Sequence, residues 1–413
     1  MLKRITDDKA LLARLNAHLM AECYSKSVCR IYCKSAQHFL RHLRRRRLSI
    51  LEVQPSDIKN YLLCALRRFC QRHGRSPSSA DDWRSRHASG IHVLLRLVLG
   101  QWPPISRSPC QAVCNDYRQW LEEKRHLASE TVFGALGEAR RFLSWHVEYA
   151  GTASLADLAI IDIDAYLRAR CVTAIRRPSR KCIAFYVRDF LRFLHVTGRT
   201  SRNLSTGVIA PTLYAFESIP SALCPEEIGA VLEVTRQDRS PLGLRDYAIL
   251  MLLSTYGLRA GEIIHLRLED IDWRNDRLRI RHTKTGGQSD LPLLPAVGAA
   301  LLDYLRRGRP QTAEREVFIR ACAPYRAFVN GSSLYPNVRS RIEAAGVQPV
   351  GKRGPHAFRH ARAVSLLRAG VPLKVIGDLL GHRSAASTTP YLKLATAELR
   401  GVSLEVPCSE EQS

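Results

Sequence analysis

A few residues in the C-terminal half have types and spacings from which chemistry can be built. Arg259 follows the bend Tyr256-Gly257-Leu258 and precedes Glu262 by three residues. On a helix that interval puts the carboxylate within reach of the guanidinium. Lys284 stands in Thr283-Lys284-Thr285-Gly286-Gly287, a turn sequence. His356-Ala357-Phe358-Arg359-His360 puts His356 and Arg359 on one helix face. Leu380-Gly381-His382 is followed nine residues on by Tyr391, the only tyrosine after His382. His356 and His360 could ligate an ion, but the zinc-protease pattern needs Glu where Ala357 stands. The 12 cysteines include no CxxC pair and match no zinc finger or ribbon, so buried free thiols in a reducing cytoplasm are expected. Taken singly, the other features have ordinary explanations: a surface ion pair, a solvated turn lysine, a core tyrosine.

The elements that must position these residues can be read from pattern. At 413 residues and 46.5 kDa the chain suits two to four domains, and with 46% hydrophobic residues it can bury several cores. The start, 1–20, has neither a signal-peptide apolar region nor a transit-peptide composition. The apolar run 247–256 is too short to span a bilayer. The expectation is therefore a cytoplasmic protein that engages no membrane. Lys and Arg total 63 against 38 Asp and Glu, a net charge of +25. Such a surplus points to a polyanion, with nucleic acid the default. Residues 1–110 hold 21 basic and 7 acidic residues, more than half of the excess. Their densest run ends in Arg44, Arg45, Arg46 and Arg47, which can neutralise adjacent phosphates.

Two segments look alike. Residues 49–62 and 154–167 align without a gap, with Asp57-Ile58 matching Asp162-Ile163 and Tyr61-Leu62 matching Tyr166-Leu167. Each follows a helix bearing Phe-Leu, at Phe39-Leu40 and Phe142-Leu143, and precedes an apolar helix ending in Gly. Two tandem helical units are expected. Prolines near 103–104 and in 211–220 mark linkers. The third region is mostly helical. Its exception is Arg277–His282, whose period-two alternation reads as a strand, paired with a short return from Asp290. The expected fold is mainly α with a small β-hairpin in the C-terminal domain. The domain bounds are 1–105 for a basic DNA-binding unit, 110–205, 220–400, and a tail at 401–413.

Arg-x-x-Glu, Lys in a β-turn, His-x-x-Arg, Leu-Gly-His and then Tyr, in that order and at those intervals, resemble the tyrosine recombinase (phage integrase) family. Residues 111–205, with Trp120, Thr131, Arg141-Phe142-Leu143 and Asp189-Phe190-Leu191-Arg192-Phe193-Leu194, resemble the family's core-binding (SAM-like) domain. Residues 1–105 look like a second copy of it. The resemblance implies a site-specific recombinase that cleaves and rejoins double-stranded DNA by transesterification through a covalent 3′-phosphotyrosine. It implies Tyr391 as nucleophile, and Arg259, Arg359 and His382 as donors to the scissile phosphate. Lys284 would protonate the leaving oxygen and His356 would assist proton transfer, with Glu262 and His360 in support. No metal or other cofactor is implied, and the implied location is the bacterial nucleoid. Recombination between two duplexes implies a homo- or hetero-tetramer on DNA, and the basic first unit favours a mobile element. Pro390 departs from the family pattern, because proline before Tyr391 restricts Thr389 and removes an amide donor. Two alternatives stand beside this reading. Residues 363–391 can be read as the helix-turn-helix of a regulator without catalysis. Type IB topoisomerases use a similar constellation.

Overall fold

The computed structural model describes residues 7–104, 109–151, 154–172, 176–213, 223–282, 286–349, 351 and 353–381. Lys284, His382, Pro390, Tyr391 and the tail at 401–413 lie outside the described residues. The chain forms two compact units. One is Gln101–Glu217; the other is discontinuous and joins Met1–Gly100 with Ser218–Ser413.

The first hundred residues fold as α1 (Asp8–Ala21), α2 (Lys26–Arg45), α3 (Pro55–His73) and α4 (Ala80–Leu99). The unit Gln101–Glu217 holds α5 (Pro109–Gln119), α6 (Ser129–Ala150), α7 (Ile160–Val172) and α8 (Arg177–Val196), with a π-helical turn at Trp120–Lys124 extending α5. The likeness seen in sequence has a counterpart in geometry. α3 and α7 open at equivalent positions of the two aligned segments. At each opening an aspartate three residues on accepts the backbone amide that precedes the helix: Gln54 N donates to Asp57 Oδ2 and Ala159 N to Asp162 Oδ2, both at 2.9 Å. Such bonds satisfy one of the amides that a helix start leaves without an intrahelical partner. One turn on, Tyr61 packs edge-on against Phe39 at 5.2 Å and Tyr166 edge-on against Phe142 at 5.0 Å. In α7 the tyrosine also donates to buried Glu138, at 2.6 Å.

The remainder comprises α9 (Pro225–Gln237), α10 (Pro241–Tyr256), α11 (Ala260–Ile264), β1 (Ile271–Asp272), β2 (Arg277–His282), β3 (Gly287–Pro292), α12 (Pro295–Asp303), α13 (Tyr335–Ala344), α14 (Pro355–Arg368) and α15 (Leu373–Leu379). The core of this region centres on α10, which buries Leu244, Ala248, Ile249, Leu250, Leu252, Leu253 and Tyr256. A helix apolar on every face belongs inside a protein, which accounts for the run 247–256. Among the described residues no helix is long and apolar enough to cross a membrane.

The strands form one antiparallel sheet in the order β1-β2-β3. The expected hairpin thus gains a third, two-residue strand, paired Ile271 to Leu278. The return strand begins at Gly287 rather than Asp290, because the ladder closes at His282–Gly287, directly beside the turn. Alternation along β2 sends Leu278, Ile280 and His282 inward.

Candidate active site

The bend before Arg259 is made by Gly257, which ends α10 with φ +66°. A side chain there would be strained by that φ and would meet Leu380 Cδ2 at 2.9 Å, so glycine lets two chain segments approach. Arg259 then caps α11. Glu262, one turn in, takes its backbone amide on Oε2 and its Nη1 on Oε1, both at 2.8 Å. The guanidinium's Nη2 donates to the carbonyl of Gly381 at 2.9 Å.

Arg359 arrives from α14 and is buried. Its Nη1 donates to the Gly257 carbonyl at 2.8 Å and its Nη2 to the Leu380 carbonyl. Two arginines from distant helices therefore hold consecutive carbonyls, Leu380 and Gly381, immediately before His382. A forked guanidinium can hold two oxygens in one plane, which a lysine cannot.

Glu262 is the buried anion of the cluster, 3% exposed. Burial alone would raise its carboxyl pKa. Hydrogen bonds from His282 and from the amide and guanidinium of Arg259 outweigh that, and the net shift is downward. The carboxylate is thus held ionised against the arginine.

Of the site residues read from sequence, Arg259, Glu262 and Arg359 come together around Leu380-Gly381. His356 and His360 occupy the first two turns of α14, with ring centroids 6.2 Å apart; His356 is exposed and His360 half-buried. Lys284, His382 and Tyr391 lie outside the described residues. Among the described residues no group of three His, Cys, Asp or Glu side chains is placed to hold a metal ion. The described cysteines are free but not a buried set: only Cys29 and Cys114 are buried, and Cys23, Cys64, Cys182, Cys224 and Cys322 are exposed, because these five do not face a core.

The basic run lies at the end of α2. Arg44 and Arg45 close the helix, Arg46 caps it, and Arg47 takes a left-handed φ of +57°. All four are exposed, and Arg44 pairs with Asp8 at 3.1 Å. Burial, then the charges of Arg46, Arg68 and Arg45, hold the His42 imidazole below its ordinary pKa.

Sequence reasoning passed over His282, which the fold brings against Glu262. The signal for His282 was present: it is the third inward position of an alternating strand, where an apolar residue is the ordinary occupant.

Residues 222–398 match the phage integrase family. A putative integrase/recombinase of Sinorhizobium fredii is 31% identical over 377 residues, covering 90% of this chain and 88% of its own length. A second from the same organism is 58% identical over 192 residues, covering 46% of this chain and 98% of its own. The tyrosine recombinase XerD of Mycobacterium tuberculosis is 29% identical, covering 69% of this chain and 94% of its own. Among solved structures, XerH recombinase bound to a palindromic difH substrate matches with TM-score 0.53 at 15% identity, over 72% of this chain and 98% of that one. A lambda integrase dimer bound to a COC′ core site matches with TM-score 0.51 at 18% identity, over 68% and 94%. These structural likenesses define the fold.

The chain belongs to the phage integrase family. It is a tyrosine recombinase, an enzyme that breaks and rejoins DNA. Catalysis sets aside the non-catalytic regulator, and membership of the phage integrase family sets aside the topoisomerase alternative.

Proposed function

We propose that this recombinase cuts each strand through Tyr391, which attacks phosphorus, forms a 3′-phosphotyrosyl link and releases a 5′-hydroxyl. The observation that carries this reading is the convergence of Arg259 and Arg359 on the carbonyls of Gly381 and Leu380, next in sequence to His382. The pentacoordinate transition state gathers negative charge on the non-bridging oxygens. Arg259, Arg359 and His382 donate to those oxygens, each such donor contributing about 3 kcal/mol in a water-excluded site. Lys284 protonates the departing 5′ oxygen and His356 assists proton transfer at the tyrosine. Glu262 orients Arg259, and His360 supports α14. The phosphotyrosine conserves the energy of the cut bond, so rejoining needs no nucleotide triphosphate.

In this reading four protomers, identical or mixed, assemble on two duplexes, and the arginines at 44–47 grip the DNA backbone of a specific site. The event served is movement of a mobile element. The strongly basic first unit and the relatives named as putative integrases support it. Inverted repeats or partner recombinase genes beside this gene are the expected observation.

The test is a nicked suicide substrate carrying the flanking site. An SDS-resistant protein–DNA adduct is expected from the wild type and none from Tyr391→Phe, with DNA binding retained. An adduct that persists in Tyr391→Phe overturns the nucleophile.

A further inference from the structure

The β2–β3 hairpin meets the arginine cluster through one side chain. His282 ends β2, is 6% exposed, and sits on the inward side after Leu278 and Ile280. Its Nδ1 lies 2.8 Å from Glu262 Oε1, and its Nε2 lies 2.8 Å from Ser289 Oγ on β3. An ionised carboxylate can only accept, so Nδ1 carries the proton and donates to Glu262, leaving Nε2 to the serine hydroxyl. The ring also bears on the chain leading to His382. Gly381 has φ +61°, and a Cβ there would lie 2.8 Å from His282 Cε1 and 2.9 Å from Nδ1. One imidazole therefore joins α11, β3 and the Gly381 backbone, two residues before Lys284 in the chain.

We infer that His282 is a positioning residue for the cleavage reaction: it fixes the end of β2, two residues before Lys284 in the chain, against the Arg259–Glu262 pair, so that leaving-group acid and phosphate clamp stay in register. The inference rests on the roles proposed above for Tyr391 and Lys284. A leucine would fill much of the same space and satisfy the same inward position of β2. Only a ring with two polar nitrogens can hold Glu262 on one side and Ser289 on the other. The lowered pKa of Glu262 agrees with a carboxylate that takes a bond from His282 in addition to those from Arg259.

Leaving-group chemistry separates positioning of the acid from mere support of the fold. An alkoxide must be protonated as it departs, whereas a thiol ionises near pH 8.5, so a thiolate departs at neutral pH without help from an acid. The experiment measures single-turnover adduct formation at saturating DNA on two suicide substrates, one with the ordinary 5′-bridging oxygen and one with 5′-bridging sulfur. His282→Leu is expected to slow cleavage of the oxygen ester by about 10- to 100-fold, the cost of a small misplacement of a reacting group. It is expected to leave the sulfur ester within about 3-fold of wild type and the DNA affinity unchanged. His282→Asn, whose amide overlays Nδ1 and retains the Glu262 bond, should recover part of the oxygen-ester rate. Ser289→Ala removes only the Nε2 partner. It should show a smaller loss with the same selectivity, and it carries the test if His282→Leu does not fold. Equal loss on both substrates, or no loss on either, overturns the inference. If the wild type forms no Tyr391-dependent adduct, the site reading and this inference fall together. If the wild type cleaves and the variants cleave as fast, this inference falls alone.

Discussion

Replacing Glu262 with glutamine changes one oxygen to an NH2 at nearly constant shape, in the most buried part of the site. Oε1 receives Arg259 Nη1 and His282 Nδ1, and Oε2 receives the Arg259 amide, all at 2.8 Å. With its carbonyl at the Oε1 position, glutamine keeps two of these bonds but loses their charge assistance. Its NH2 then faces the Arg259 N–H, donor against donor. Weakening two charge-assisted bonds and stranding one buried donor should together destabilise the catalytic region by about 3 kcal/mol. Calorimetry should show the transition of this region displaced downward by several degrees. The pH dependence has a definite sign. The folded-state pKa of Glu262 lies below its ordinary value of 4.5, so its contribution is fully present above that pH. It is lost as pH falls through the lower folded-state value. The stability gap between wild type and Glu262→Gln should therefore be constant near neutrality and narrow below pH 4.5. Arg259, released from its carboxylate, should also lower single-turnover cleavage, by up to about 100-fold. A gap near zero at pH 7, or one that widens in acid, would refute the account of Glu262 as the ionised anchor of Arg259.

Two further outcomes follow from the geometry. Gly381→Ala forces a Cβ into the His282 ring at a left-handed φ. It should cost about 1–2 kcal/mol in backbone strain alone and slow cleavage while sparing DNA affinity, read by single-turnover kinetics and equilibrium binding. Changing Arg45, Arg46 and Arg47 together to serine should flatten the slope of log K against log salt by about 2.7, at roughly 0.9 per phosphate contact, in a binding titration across salt concentrations. Cleavage at saturating DNA should be unchanged, and an unaltered slope would remove the run from the DNA contact.

Local patterns with a strong period were legible without coordinates. The alternation of 277–282 announced β2. The matched segments at 49–62 and 154–167 announced helices that open with the same aspartate cap. Arg259 and Glu262 were legible as a pair because their contact is one helical turn long. Partners set by tertiary approach were hidden. The donation of Arg359 to Gly257 and Leu380 depends on a glycine bend that lets α10 approach the end of α15, and no local spacing encodes it. His282 was hidden for a different reason. Strand alternation marks a position as inward without saying what it faces, and the meeting with Glu262 across the α11–β2 interface decides its role. The third strand escaped because two residues are too few to show a period.

The central claim is a phosphotyrosine at one residue. Adduct trapped on a suicide substrate, digested with protease and nuclease, should give a single modified peptide with the nucleotide 3′-phosphate on Tyr391, and the released strand should end in a 5′-hydroxyl. A modification on any other residue, or a released strand ending in a 5′-phosphate, would contradict it.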